Sequence, residues 1–187
     1  MSAVSLDDPL VGAARRIVIL GVTGSGKTHL ASALGRCRGI PHHEMDAQAW
    51  QPGWVKTPDE ELRQRAERIA SADGWVVDAL WTATRVAFLP RVELVIGLDY
   101  PWAISAGRLL GRTVNRLTTR EPICGDNAES WRQTLSRDSI LLWHLRTFRS
   151  KRRQILQWAA DADLPPLLRL THPDQAAALV AATKATS

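Results

Sequence analysis

Eight consecutive residues, Gly21-Val22-Thr23-Gly24-Ser25-Gly26-Lys27-Thr28, meet the spacing G-x-x-x-x-G-K-[ST] without a gap. Glycines at 21, 24 and 26 let a backbone turn tightly and aim its N–H groups inward, where a row of amides and a helix N-terminus suit phosphate oxygens. Lys27 is placed to reach β- and γ-phosphates, and Thr28 offers a hydroxyl to Mg²⁺. Gly21, Thr23, Gly24, Ser25, Gly26, Lys27 and Thr28 are therefore the candidate nucleotide-binding residues. The chemistry served by such a loop is phosphoryl transfer, which requires positioned reactants and stabilised charge on the moving group.

The flanking residues predict the elements that such a loop needs. Arg16 to Leu20 (RIVIL) reads as a buried parallel strand, and the segment from Thr28 reads as a helix with Leu30 and Leu34 four apart. A second strand is expected over Gly39 to Asp46, a third over Trp75 to Asp78, a fourth over Glu93 to Asp99 and a fifth over Leu167 to Leu170. Helical patterns separate them. Thr57-Pro58-Asp59-Glu60 predicts a capping box opening one helix, and Gly74 predicts its stop. The fold class expected is a three-layer α/β/α arrangement around a five-stranded parallel sheet. Residues 1–14 show no periodicity and are expected to be a mobile tail, with 15–187 forming one domain.

Three of these strands end on a carboxylate, which is where open α/β sheets place their ligands. Asp78 and Asp99 both compete for the metal role; Asp78 is preferred, because the third strand normally neighbours the loop-bearing strand. Asp46, followed by Trp50 and Trp54 in a turn-rich segment, is a candidate for a second-substrate site, with surface packing of the Trp residues as the alternative. Further on, Arg108, Arg112, Arg116 and Arg120 recur every four residues with no acidic residue among them. Like charges at that spacing repel mildly, so a ridge for several phosphates is the functional reading and a solvated basic face the other. A lid is expected over about 112–131, with a polar connection from Thr119 to Glu129. Ser130-Trp131-Arg132-Gln133 then predicts the capping box of a long helix running towards Trp158. That helix carries Arg146, Arg149, Lys151, Arg152 and Arg153, for which a solvated face is preferred to a nucleic-acid surface.

Composition narrows the class. The 187 residues carry 24 Lys and Arg against 19 Asp and Glu, a formal charge of +5, which suits polyphosphate substrates and nucleic acid equally. Eight Trp stand against one Tyr and two Phe. Cys37 and Cys124 lie far apart and outside any C-x-x-C spacing, which argues against a disulfide framework or structural zinc site. The first fourteen residues lack the apolar run of a signal peptide, and no stretch approaches about 20 apolar residues, so a cytoplasmic protein without a membrane anchor is expected.

The loop, the Asp78 strand end, and Asp99-Tyr100-Pro101 followed by Arg108 and Arg112 resemble the adenylate-kinase-like branch of the P-loop small-molecule kinases. Met45-Asp46 with Trp50 to Trp54, Trp75 to Asp78, and the stretch from Arg120 to Ile140 are similar to the bacterial topology modulation or adenylate kinase-related subgroup. The resemblance covers roughly residues 15–175. It implies ATP as donor and Mg²⁺ as cofactor. It also implies Arg108 and Arg112 as lid-side contacts to adenine or phosphates, and Arg85 as an acceptor-side arginine. The chain departs from adenylate kinases at Asp78-Ala79-Leu80-Trp81, where they place Gly and then a Pro-Arg pair, so an AMP acceptor does not follow. A small-molecule or nucleoside kinase with Trp50, Trp54 and Trp81 near its acceptor fits better, with Lys27, Asp46, Arg108 and Arg112 as the catalytic set. Two other readings stand beside it: a nucleic-acid-associated NTPase using the basic helix at 146–153, and a nucleotide-binding switch with negligible catalysis.

Overall fold

The computed structural model describes residues 3–119 and 139–186, with side chains described as far as 115 in the first stretch and 184 in the second. Eight strands and eight α-helices occur among them. In chain order these are β1 (Ala3–Val4), α1 (Pro9–Ala13), β2 (Arg16–Gly21), α2 (Lys27–Arg38), β3 (His42–His43), α3 (Met45–Ala49), β4 (Trp50–Gln51) and β5 (Val55–Lys56). There follow α4 (Asp59–Ala70), β6 (Trp75–Val77), α5 (Arg85–Phe88), β7 (Leu94–Leu98), α6 (Trp102–Thr119), α7 (Ile140–Ala160), β8 (Leu167–Leu170) and α8 (Pro173–Thr186).

Six strands form one parallel sheet in the order β1-β8-β7-β2-β6-β3, and β4 with β5 makes a separate antiparallel ribbon. The sheet has one strand more than expected, because Ala3 and Val4 pair with Leu167 and Leu168 at its edge. The tail expectation for residues 1–14 is corrected at the same point. Asp8 caps α1 by accepting from Leu10 N–H at 2.9 Å, Val11 is buried, and Arg38 donates to Val11 O at 2.6 Å.

Alternation along the strands builds the three layers. Ile17 and Ile19 face one side of β2, where they meet Leu30 and Leu34 of α2 and Leu179 of α8. Val18 and Leu20 face the other, where they meet Leu62 and Ala66 of α4, Phe88 of α5, and Ile155 and Trp158 of α7. Each fully buried Ile or Leu contributes about 1.5–3 kcal/mol relative to exposure, which fixes the register of β2 and hence the height at which its loop leaves the sheet. Gly97 lets α7 close on β7, since a Cβ there would stand 2.8 Å from Ile155 Cγ2.

Two local expectations are corrected by tertiary contacts. The second strand spans only His42–His43, and Asp46 lies instead in the first turn of α3, which begins where Met45 N–H donates to Asp78. Pro58 is extended (φ −52°, ψ 138°) and caps α4 without a side-chain bond; the Thr57 hydroxyl, expected in the capping box, donates to Gln48 O at 3.0 Å. The segments expected as polar connection and second capping box, Thr119–Glu129 and Ser130–Gln133, lie outside the described residues apart from Thr119 itself, at the end of α6. Ser139 caps α7 by accepting from Leu142 N–H at 3.2 Å.

Candidate active site

The loop from Gly21 to Thr28 joins β2 to α2 at the C-terminal edge of the sheet. Gly24 (φ +81°) and Gly26 (φ +95°) occupy left-handed backbone, and a Cβ on Gly24 would stand 2.4 Å from Ser105 O and 2.9 Å from Leu109 Cβ of α6. Gly26 has no side chain to cap α2, so the N-terminal end of this twelve-residue helix faces the loop without a side-chain acceptor. Ser25 Oγ is buried without a hydrogen-bond partner. An anion cradle, a bare helix N-terminus and an orphaned buried hydroxyl together fit a polyphosphate.

Lys27 Nζ donates to Val22 O at 3.2 Å, folding the side chain back over the loop. Burial holds its pKa below the ordinary lysine value. Asp46 and Asp78 oppose that shift, and the positive charges of Arg112 and Lys151 reinforce it. Lys27 thus lies in the field of two carboxylates and two further cations.

Asp78 is placed by β6 one residue beyond its last paired position. Thr28 Oγ1 donates to its Oδ2 at 2.6 Å and Met45 N–H to its Oδ1 at 3.0 Å, while His42 Nε2 stands 3.6 Å from Oδ2. Burial alone would raise the pKa of Asp78, but His42, Thr28 and the Met45 amide outweigh it, so the carboxyl is held below its usual value and ionised. A hydroxyl and an ionised carboxylate in contact at the helix start form a donor set suited to Mg²⁺, directly or through water.

Asp99, the competing carboxylate, is engaged elsewhere. Arg169 of β8 donates to Oδ2 from Nε at 2.9 Å and from Nη2 at 2.5 Å, and Arg152 of α7 approaches Oδ1 at 3.2 Å. It ties β7, β8 and α7 together. Arg152 is exposed like Arg146, Arg149 and Arg153, but its guanidinium reaches the end of the sheet through this ion pair.

Arg108 reaches the loop from α6: Nη1 donates to Ser25 O at 3.3 Å, and Cζ lies 5.7 Å from the centre of the Tyr100 ring. Arg112 is one turn further along, exposed, and acts on Lys27 through its charge. The side chain of Arg116 and the whole of Arg120 lie outside the described residues, as does the remainder of the expected lid.

The acceptor candidates come together in part. Trp81 Nε1 donates to Asp46 Oδ1 at 3.2 Å. Trp50 meets Trp54 edge-on at 5.9 Å between ring centroids and Trp81 at 6.4 Å. Trp54 holds φ +60°, the one non-glycine in left-handed backbone among the described residues, at a cost of about 1–3 kcal/mol that the β4–β5 ribbon sustains. Arg85 takes a different place: its guanidinium stacks over the ring of Trp158 at 5.8 Å. Lys151 belongs to the basic helix for which a solvated face is expected. Its charge acts on Lys27, and the signal that separates it from its neighbours is helical phase: it shares the face of His144, Ile155 and Trp158.

No family model matches the sequence, and no curated protein matches it. Solved structures do share the fold. One is a gluconokinase from Sinorhizobium meliloti 1021, with TM-score 0.50 and 21% identity over 92% of this chain and 94% of that one. Another is a deoxyadenosine kinase from M. mycoides, with TM-score 0.52 and 10% identity over 91% and 97%. A third is a shikimate kinase from Bacteroides thetaiotaomicron, with TM-score 0.53 and 14% identity over 92% and 98%. The chain thus shares its fold with these three small-molecule kinases. No helix among the described residues is long and apolar enough to cross a membrane.

Proposed function

We propose that the chain is an ATP-dependent phosphotransferase acting on a nucleotide, nucleoside or other small acceptor. The observation that supports it best is the position of Lys27 in the fields of both Asp78, bonded to Thr28 at 2.6 Å, and Asp46, bonded to Trp81 at 3.2 Å. One cation thus feels the charge of both a donor-side and an acceptor-side carboxylate.

In this reading Gly21, Thr23, Gly24, Ser25 and Gly26 surround the donor phosphates, and Lys27, Arg108 and Arg112 stabilise charge on the moving group. Thr28 and Asp78 would hold Mg²⁺, which would supply charge neutralisation for the donor phosphates. Asp46 accepts the proton of the acceptor hydroxyl as that oxygen bonds to the γ-phosphorus. The bond from phosphorus to the bridging oxygen breaks, and its electron pair leaves on ADP. The indole N–H of Trp81 orients Asp46, and Trp50 and Trp54 supply apolar faces for the acceptor body. Arg85, stacked over Trp158, serves as the acceptor-side arginine.

Incubation with ATP, Mg²⁺ and a panel of nucleosides, nucleotides and sugars tests the proposal. The expected result is a phosphorylated acceptor formed in step with ADP. Release of inorganic phosphate alone across the panel would contradict it.

A further inference from the structure

The cations of α7 do not share one environment. Ile155 packs against Gly97 in the middle of β7, and Arg152, three residues earlier, pairs with Asp99 just past the end of that strand. Moving backwards along α7 therefore moves forwards along β7 towards the edge that carries the loop. Val22 of the loop lines the same small cleft as Tyr100, Phe148 and Arg152. Lys151 lies seven residues after His144, four before Ile155 and seven before Trp158, all three buried, so it shares the helix face turned inward. It is nevertheless exposed, at a level of α7 between His144, which meets Ser105 of α6, and Ile155, which packs on β7. Its ammonium is held only loosely, by Gln154 Oε1 at 3.5 Å, and its charge reaches Lys27.

We propose that Lys151 is a direct ligand of the γ-phosphoryl group, closing on it from α7 while Lys27 holds it from the loop. The inference rests on the donor site proposed above. A flexible stem with a lightly held ammonium can follow the phosphoryl group as it moves, whereas Arg152, fixed on Asp99, cannot. Arg146, Arg149 and Arg153 project from the opposite face and have no part in it.

The test measures equilibrium affinity for a non-hydrolysable ATP analogue and for ADP, each with Mg²⁺, in the intact chain. Lys151→Met keeps the stem and helix propensity. It should weaken the analogue by about 10- to 100-fold, the range of a charged hydrogen bond, and leave ADP unchanged. Lys151→Arg should recover most of the difference, and Arg149→Gln should match the parent for both ligands. Equal loss for analogue and ADP, or no loss for either, would overturn the proposal while leaving the donor site intact. If the parent chain binds neither nucleotide, the donor site itself is wrong and the role of Lys151 falls with it.

Discussion

The two halves of the cleft are built by different means. The donor half hangs from β2, β6 and α2, whose apolar residues form the centre of both cores, and its groups are fixed by buried partners: Lys27 on Val22 O, Thr28 on Asp78, Gly24 against the backbone of α6. The acceptor half hangs from a five-residue helix, a ribbon of two-residue strands and the turn after Asp78. Met45 and Ala49 anchor it in the core, and Asp46 is exposed. On the proposed assignment, phosphate binding would depend on the core of the domain, whereas acceptor contacts would depend on short elements that tolerate change. Asp78 links them, because one of its oxygens takes the Thr28 hydroxyl and the other the Met45 amide that starts α3.

Breaking the donor half should produce the largest effect. Lys27→Met is expected to lower phosphoryl transfer by at least about 10²-fold, the cost of removing one preorganised charge-stabilising group, and to weaken nucleotide binding in calorimetry. A variant that transfers and binds normally would remove Lys27 from the site.

Asp78→Ala should strike both halves together. Met45 N–H would lose its acceptor, at about 1–3 kcal/mol for a buried donor left unpaired, and the exposed Thr28 hydroxyl would lose its partner, so the melting temperature should fall along with nucleotide binding. Loss of binding with no change in melting temperature would show that the link to α3 is not structural.

A change confined to the acceptor half should be smaller. Trp81→Phe keeps the ring but removes the donor to Asp46. It is expected to cost about 0.5–1.5 kcal/mol, or roughly 2- to 13-fold in kcat/KM for the acceptor, with ATP affinity unchanged. Altered ATP affinity would mean that the two halves are not separable there.

The smallest effect concerns pH. His144, which meets Ser105 Oγ at 2.9 Å between α7 and α6, and His43 beside the site are both held by burial below the ordinary value of 6.5. As pH falls through that value the unfolded chain takes up protons before the folded one, so stability declines until the folded values are passed. Melting temperature should drop from about pH 7.5 to about pH 5, and by less in His144→Gln, which retains a hydrogen-bonding group but does not titrate. An unchanged slope in that variant would assign the decline to His43 and the carboxylates.

The same division governs what the sequence made legible. β2, the loop and α2 follow from contiguous residues: five apolar or amphipathic positions, three glycines and a helical stripe. The start of α3 does not, because it depends on Asp78 catching the Met45 amide 33 residues away in sequence. The role of Asp99 depends on Arg152 and Arg169, which only the folded sheet brings to it. β1 is two residues long and exists through its pairing with β8, so it carries no periodic signal. Lys151 was hidden by its neighbours: Arg146, Arg149 and Arg153 repeat as a solvated face, and at 100° per residue Lys151 stands nearly opposite them.

The central claim is that a phosphoryl group passes from the donor half to an acceptor activated by Asp46. Transfer of label from γ-³²P-ATP to the acceptor panel, compared between the parent chain and Asp46→Asn, tests it most directly. A labelled acceptor formed by the parent, and its loss in Asp46→Asn with ATP binding retained, is the predicted result. Equal labelling by both chains, or label released only as inorganic phosphate, would contradict it.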